Sequence, residues 1–289
     1  MEEQSAIAVF MREKLAAPPE IQVFHAVAFK LQQVLATPDY SIEAVTQLIM
    51  TDPRLASQVL RMANSVFYGG LSKVATIRDA IVRMGAREVA NIAMVATQQE
   101  LYRSSDPRIN KTMKTLWEHA VCTAIGSRWL AGKTGFAPLA QEAFLAGLLH
   151  DIGKLYLLKV LEEGTRTTAV GKVLTHEMVA EVLNSLHVEQ GVALMRKWNL
   201  PEIYCDVIRE HHLDHWKQDR PLLALVRLVN LSCNRLGIGI DPPATQETFD
   251  TPEARLLGVS ETILADLETT IKEAAQIALA IARGGASSL

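Results

Sequence analysis

Apolar residues recur along most of this chain every three or four positions, not every second one, which is the period of a helix buried on one face. Alternating runs joined by Asn-Gly or Asp-Gly turns, the signature of hairpins, are missing from the sequence. The pattern predicts helices over 42–50, with Ser41 as N-cap and Glu43 and Ala44 in the first turn, and over 53–68. In the second, Leu55, Val59, Met62 and Val66 form the apolar stripe, Asp52 is the cap, Pro53 the first helical residue and Gly69-Gly70 the stop. A third helix is predicted over 76–102. Ser104-Ser105-Asp106-Pro107 then divides the chain into an N-terminal helical part, 1–105, and a second part, 106–289. There, helices are expected over 110–132, 139–149, 175–184 and 188–198. Others run from Pro201 to His211-His212, from Pro221 through Asn230, and over 261–282, with the end beyond Gly284 frayed. Glu163-Gly164-Thr165, Gly171 and the stretch 237–252 read as loops. The fold class is therefore all-α.

Composition narrows the setting. Apolar residues make up 49% and charged residues 21% of 289, an ordinary globular balance. A net charge of −3 offers no broad basic field, so no nucleic-acid partner is expected. The start carries no positive n-region of a signal peptide, and no apolar run approaches the roughly 20 residues that span a bilayer. Cys122, Cys205 and Cys233 are few, odd in number and far apart, which suits reduced core thiols. These features predict a cytoplasmic protein without a membrane partner.

The candidate chemistry lies in the histidines. His150 and Asp151 are adjacent, after the apolar run 144–149, so a neutral nitrogen ligand and a two-oxygen carboxylate arrive together at the inner end of a buried helix. A carboxylate delivered there is costly unless a cation meets it. His119 shares a face with Thr115, Leu116, Cys122, Thr123 and Gly126, a small apolar surface that suits an inward imidazole. His187 is followed by Gly191 one turn on, and His211-His212 form another adjacent pair at a helix end. Four helices thus present His119, His150-Asp151, His187 and His211-His212, and bundles gather metal sites in this way. Imidazole and carboxylate suit iron, manganese or zinc; a buried hydrogen-bonded His/Asp network is the alternative. His25 and His215 read as isolated residues, and His176-Glu177 lacks the second histidine of a zincin motif because position 180 is Ala.

The whole set is similar to the HD superfamily of metal-dependent phosphohydrolases: His119, then Gly147-Leu148-Leu149-His150-Asp151-Ile152-Gly153-Lys154, then His187, then His211-His212. It resembles in particular the HDOD branch, the HD-related output domains of bacterial signalling proteins. The N-terminal half carries much of this likeness, in Asp52-Pro53-Arg54-Leu55, Leu60-Arg61-Met62-Ala63-Asn64-Ser65 and Ile77 to Gly85. Glu181 and Trp198-Asn199-Leu200-Pro201 add to it, and the likeness covers about residues 15–237. The resemblance implies an N-terminal helical subdomain packed on an HD-like bundle, one or two divalent ions, and signalling proteins as partners.

Two departures bear on activity. The related HD-GYP phosphodiesterases, which cleave cyclic di-GMP, carry His-His-Glu before a Gly-Tyr-Pro segment; here Leu213 follows the pair and no Gly-Tyr-Pro occurs. Where HD hydrolases supply a late aspartate ligand, Asn230 stands, a weak ligand that offers a neutral oxygen and no charge. A unit-charge contact at about 4 Å is worth on the order of 4 kcal/mol at an effective dielectric near 20. Its loss should weaken a site formed by His119, His150 and Asp151 more than one formed by Asp151, His187, His211 and His212. The leading expectation is a signalling domain that retains a metal site and works through protein contacts. The alternative is a phosphohydrolase acting on a phosphodiester, cyclic dinucleotide or nucleotide, in which Asp151 anchors metal and Lys154 contacts a phosphate-containing ligand. A metal-free ligand-binding module is a third reading.

Overall fold

A computed structural model describes residues 2–16, 26–35, 37, 39–65, 68, 72–167, 174–241, 243–245 and 247–286. All regular structure among them is helical, as the apolar period predicts. None of these helices is long and apolar enough to cross a membrane. The chain forms two compact units. The larger comprises Met1–Ile21 and Tyr102–Ala275, the smaller Gln22–Leu101 and Gln276–Leu289. The predicted isolated His25, the stop at Gly69-Gly70 and the loop at Gly171 lie outside the described residues.

After α1 (Glu2–Leu15), the smaller unit supplies α2 (Ala26–Leu35), α3 (Ile42–Met50), α4 (Pro53–Ala63), α5 (Ile77–Met84) and α6 (Ala86–Gln98). Ser41 and Asp52 cap α3 and α4 as expected, each side chain accepting from first-turn amides. Two predicted helices are shorter. The one expected over 53–68 ends at Ala63, because Asn64 turns its amide to the Val74 backbone, donating to its carbonyl at 2.8 Å and accepting from its N–H at 2.8 Å. The one expected over 76–102 is two helices. Gly85 sits between them at φ 86°, a left-handed conformation that glycine adopts without a Cβ penalty.

The larger unit continues with α7 (Pro107–Lys133), a short 3-10 turn (Ala137–Leu139), α8 (Ala140–Leu149), α9 (Ile152–Thr167), α10 (His176–Lys197), α11 (Glu202–Glu210), α12 (Pro221–Arg235), α13 (Pro252–Leu257) and α14 (Glu261–Ala286) as far as Ala275, the rest of α14 belonging to the smaller unit. Here α7 packs on α8 and α12, and α9 on α10. Three sequence expectations give way to packing. The loop expected at Glu163-Gly164-Thr165 is helix, and a Cβ on Gly164 would come within 2.7 Å of the Phe10 ring, so the missing side chain is what lets α1 lie against α9. The helices expected over 175–184 and 188–198 are one continuous α10, since nothing between Asn184 and Val188 competes with the backbone ladder. The last helix runs to Ala286 through Gly284, past the predicted end.

Five of these elements serve the site directly. His119 lies mid-way along α7, His150-Asp151 form the corner between α8 and α9, His187 lies mid-way along α10 and His211 caps α11. The corner is held tight by Gly153. A Cβ there would stand 1.9 Å from the His187 carbonyl oxygen, so α9 and α10 meet backbone to backbone beside two of the site residues.

Candidate metal centre

Four histidines are tied in the same way. His119 Nδ1 lies 2.9 Å from the Ile238 carbonyl oxygen, and Nδ1 of His150, His187 and His211 lies 2.8 Å from the carbonyls of Gly147, Leu183 and Ile208. A carbonyl only accepts, so in each neutral ring Nδ1 carries the hydrogen and Nε2 keeps its lone pair. This is the backbone-to-imidazole contact that fixes tautomer and ring orientation in metal-binding histidines.

All four lone pairs converge on Asp151, which is buried at 4% exposure. Its Oδ2 faces one pair, at 3.9 Å from His119 Nε2 and 3.5 Å from His150 Nε2. Its Oδ1 faces the other, at 3.8 Å from His187 Nε2 and 3.5 Å from His211 Nε2. Two ligand sets result, sharing one carboxylate: His119, His150 and Asp151; and Asp151, His187, His211 and His212, with all ligand atoms of each set within 4.8 Å of one another. His211 is buried and His212 exposed, their rings 4.0 Å apart. Of the predicted residues, Asn230 is buried on α12. His176 and His215 are exposed.

The donor set fits a divalent cation better than a hydrogen-bonded network. Asp151 Oδ1, His187 Nε2 and His211 Nε2 are buried without a hydrogen-bond partner, each a cost of about 1–3 kcal/mol if left unmatched. His119 Nε2 and His150 Nε2 stand 3.3 Å apart with no hydrogen to share between two Nδ1–H tautomers. A cation is what turns these facing lone pairs from repulsive to attractive.

The electrostatics agree. Burial holds the His119, His150 and His187 rings below the ordinary imidazole range, so these three are neutral and ready to ligate. Burial opposes the charge on Asp151, but the Lys154 ammonium beside it outweighs this and holds the carboxyl well below the usual range. The Lys154 side chain is itself 1% exposed, its Nζ 3.0 Å from Asp151 Oδ2 and 3.2 Å from Asp241 Oδ2. Burial alone would lower its pKa; the two carboxylates raise it.

Several supporting groups carry no signal in the sequence pattern. Ile238 and Asp241 lie in the irregular segment after α12, where no period marks them. Arg227 is the one charge within the apolar run 221–229 of α12, and that isolation was the available clue. Its Nη1 donates at 2.9 Å to the carbonyls of both Glu210 and His211, its Nε bonds Glu253 at 2.6 Å, and Trp216 stacks 5.4 Å from the guanidinium. The C-terminal end of α11, and with it the His211-His212 pair, is thereby fixed to α12 and α13.

Comparison with known proteins places this site in a family. The HDOD domain model matches residues 21–213. An uncharacterized protein of Treponema pallidum (strain Nichols) is 28% identical over 209 residues, covering 70% of this chain; the chain spans about 40% of that relative's length. Among solved structures, an HDOD domain protein of unknown function from Geobacter sulfurreducens superposes with a TM-score of 0.73 at 23% identity, covering 94% of this chain and 97% of the other. A protein from Shewanella amazonensis SB2B, provisionally named a metal-dependent phosphohydrolase, gives 0.67 at 20% identity over 95% and 100%. One from Marinobacter aquaeolei VT8, provisionally named a signal transduction protein, gives 0.63 at 20% over 99% and 67%. The chain belongs to the HDOD family, with the all-α fold that membership implies.

Proposed function

We propose that this HDOD chain is a bacterial signalling or regulatory domain that retains a divalent-metal centre, of iron, manganese or zinc, and acts mainly through contacts with other signalling proteins. The metal half of this reading is carried by one observation: four imidazoles, each with its Nδ1–H spent on a backbone carbonyl, aim their lone pairs at one buried carboxylate. His119, His150 and Asp151 would hold an ion on one side, and Asp151, His187, His211 and His212 on the other. The regulatory half is supported by the engagement of Lys154, whose ammonium is held between Asp151 and Asp241. Leu213 after the His pair and Asn230 on α12 are the other departures from the hydrolase pattern.

A phosphohydrolase is the second reading, favoured by the two ligand sets that share Asp151. A bound ion would supply an acidified water and a Lewis acid toward phosphorus. The residues would contribute anchoring, through Asp151 and the histidines, and a cationic contact to phosphate if Lys154 turned outward. Purified protein reconstituted with Mn2+, Fe2+ or Zn2+ and offered bis(p-nitrophenyl) phosphate, cyclic di-GMP and nucleotides separates the readings. The regulatory reading predicts a bound ion and no turnover. Turnover that disappears in His150→Ala would overturn it in favour of the hydrolase, and protein that binds no ion would remove both.

A further inference from the structure

The segment 236–241 touches the Oδ2 side of the centre twice. The Ile238 carbonyl accepts the His119 Nδ1–H at 2.9 Å, and Asp241 Oδ2 lies 3.2 Å from Lys154 Nζ, which in turn lies 3.0 Å from Asp151 Oδ2. Gly239, between them, holds a φ of 157° with its Cα side against His119: a Cβ there would stand 3.3 Å from Nδ1. One short piece of backbone therefore orients a ligand and delivers a carboxylate to the same ion seat.

That seat is short of charge. His119 and His150 are neutral ligands, Asp151 divides its single charge between both seats, and Asn230 brings none. Lys154 adds a positive charge next to Oδ2, which by itself would repel an incoming cation. Asp241 cancels it. With both carboxylates and the ammonium counted, the trio Asp151, Lys154 and Asp241 carries one net negative charge in place of none.

From this arrangement, and resting on the metal-centre reading above, we infer that Asp241 is the outer carboxylate of the seat formed by His119, His150 and Asp151. Through Lys154 it supplies the negative charge that a late aspartate would bring at position 230. Asp241 is a positioning and charge-balancing residue, not a ligand: its contact to the centre runs through the Lys154 ammonium. The Oδ1 seat, with His187, His211 and His212, has no part in this chain of contacts. Removing an outer partner of a metal site costs typically about 10–100-fold in affinity, and the loss should fall on one seat only.

The test is titration of the full chain with Co2+ and with Mn2+, read by calorimetry and by the cobalt d–d absorption, in two single-seat backgrounds. In His187→Ala, where the Oδ2 seat remains, Asp241→Asn should weaken binding about 10–100-fold and Asp241→Glu should recover part of it. In His119→Ala, where the Oδ1 seat remains, Asp241→Asn should change affinity less than about twofold. Thermal unfolding of each variant establishes that it is folded, and Asp241→Glu repeats the comparison with the charge kept. Equal affinity for Asp241→Asn and its parent in the His187→Ala background overturns the inference and leaves the metal centre standing. A loss of similar size in both backgrounds also overturns it, since that is general damage. Wild-type protein that takes up neither ion refutes the metal centre and the inference together.

Discussion

Gly153→Ala is the sharpest probe of how the site is held. The new Cβ would stand 1.9 Å from the His187 carbonyl oxygen, and 2.8 Å from both the His187 carbonyl carbon and the Gly191 nitrogen. An ordinary carbon–oxygen contact is about 3.3 Å, so α9 and α10 must separate by about 1.4 Å at this point. Overpacking a core typically costs about 1–3 kcal/mol when side chains can yield. Here every clashing atom is backbone in the middle of a 22-residue helix, so no rotamer change relieves it. We expect about 3 kcal/mol or more, which for a unit of 150–250 residues lowers Tm by about 6–12 °C. The same displacement carries His187 away from Asp151, so ion binding should weaken even at temperatures where the variant is folded. Thermal unfolding by circular dichroism, with and without added Mn2+, measures both effects. A variant whose Tm stays within 2 °C of the parent, with unchanged ion affinity, would refute the claim that backbone contact at Gly153 sets the spacing of the ligand-bearing helices.

Gly132→Ala is the matched control: a Cβ on this helical glycine meets nothing within 4 Å, so the variant should gain about 0.4–1 kcal/mol in chemical denaturation. Arg227→Ala removes one donor from each of the Glu210 and His211 carbonyls, leaving Glu210 only the Leu213 N–H at 3.1 Å, and leaves the Glu253 carboxylate buried without its cation. A loss of about 2–4 kcal/mol is expected, with a larger fall in ion binding in the His119→Ala background than in His187→Ala, and Arg227→Lys should restore little because it lacks the fork. The exposed Glu202 is held down to about 2 by hydrogen bonds from Arg196 and Arg209. Its folded pKa is depressed, so its contribution is complete above the ordinary value of 4.5 and is lost as pH falls from there toward 2. The stability difference between wild type and Glu202→Gln should accordingly shrink over that window and be flat from pH 6 to 8. The buried His119, His150 and His187 are also depressed, so ion affinity should hold nearly constant from pH 8 to the ordinary imidazole value of 6.5; a steep decline in that interval, measured calorimetrically, would contradict their neutrality.

What the sequence made legible was the group of histidines that gathers around Asp151 and the helices that bring it together. His150-Asp151 were legible because an apolar run leads straight into them, and His119, His187 and His211-His212 because helical spacing carries them to helix interiors or ends. Helix limits were less legible where one residue decides them through tertiary contact. Gly85 breaks a periodic stretch by a positive φ, while Gly164 stays helical against the Phe10 ring and the 184–188 stretch of α10 runs on unbroken. The outer contacts were invisible for a different reason. Ile238 and Asp241 sit in irregular chain, and whether Lys154 turns to solvent or to a carboxylate 87 residues away is decided by a fold that local pattern does not encode.

The central claim is that Asp151 and its four imidazoles are built for a divalent cation. A crystal of the protein grown with Mn2+ or Zn2+, with anomalous data collected at the metal's absorption edge, tests it most directly. The account predicts an anomalous peak within coordinating distance of Asp151 together with His119 and His150, or with His187 and His211, and its loss in Asp151→Ala. A well-ordered crystal with the ion in solution and no anomalous peak at Asp151 would contradict it.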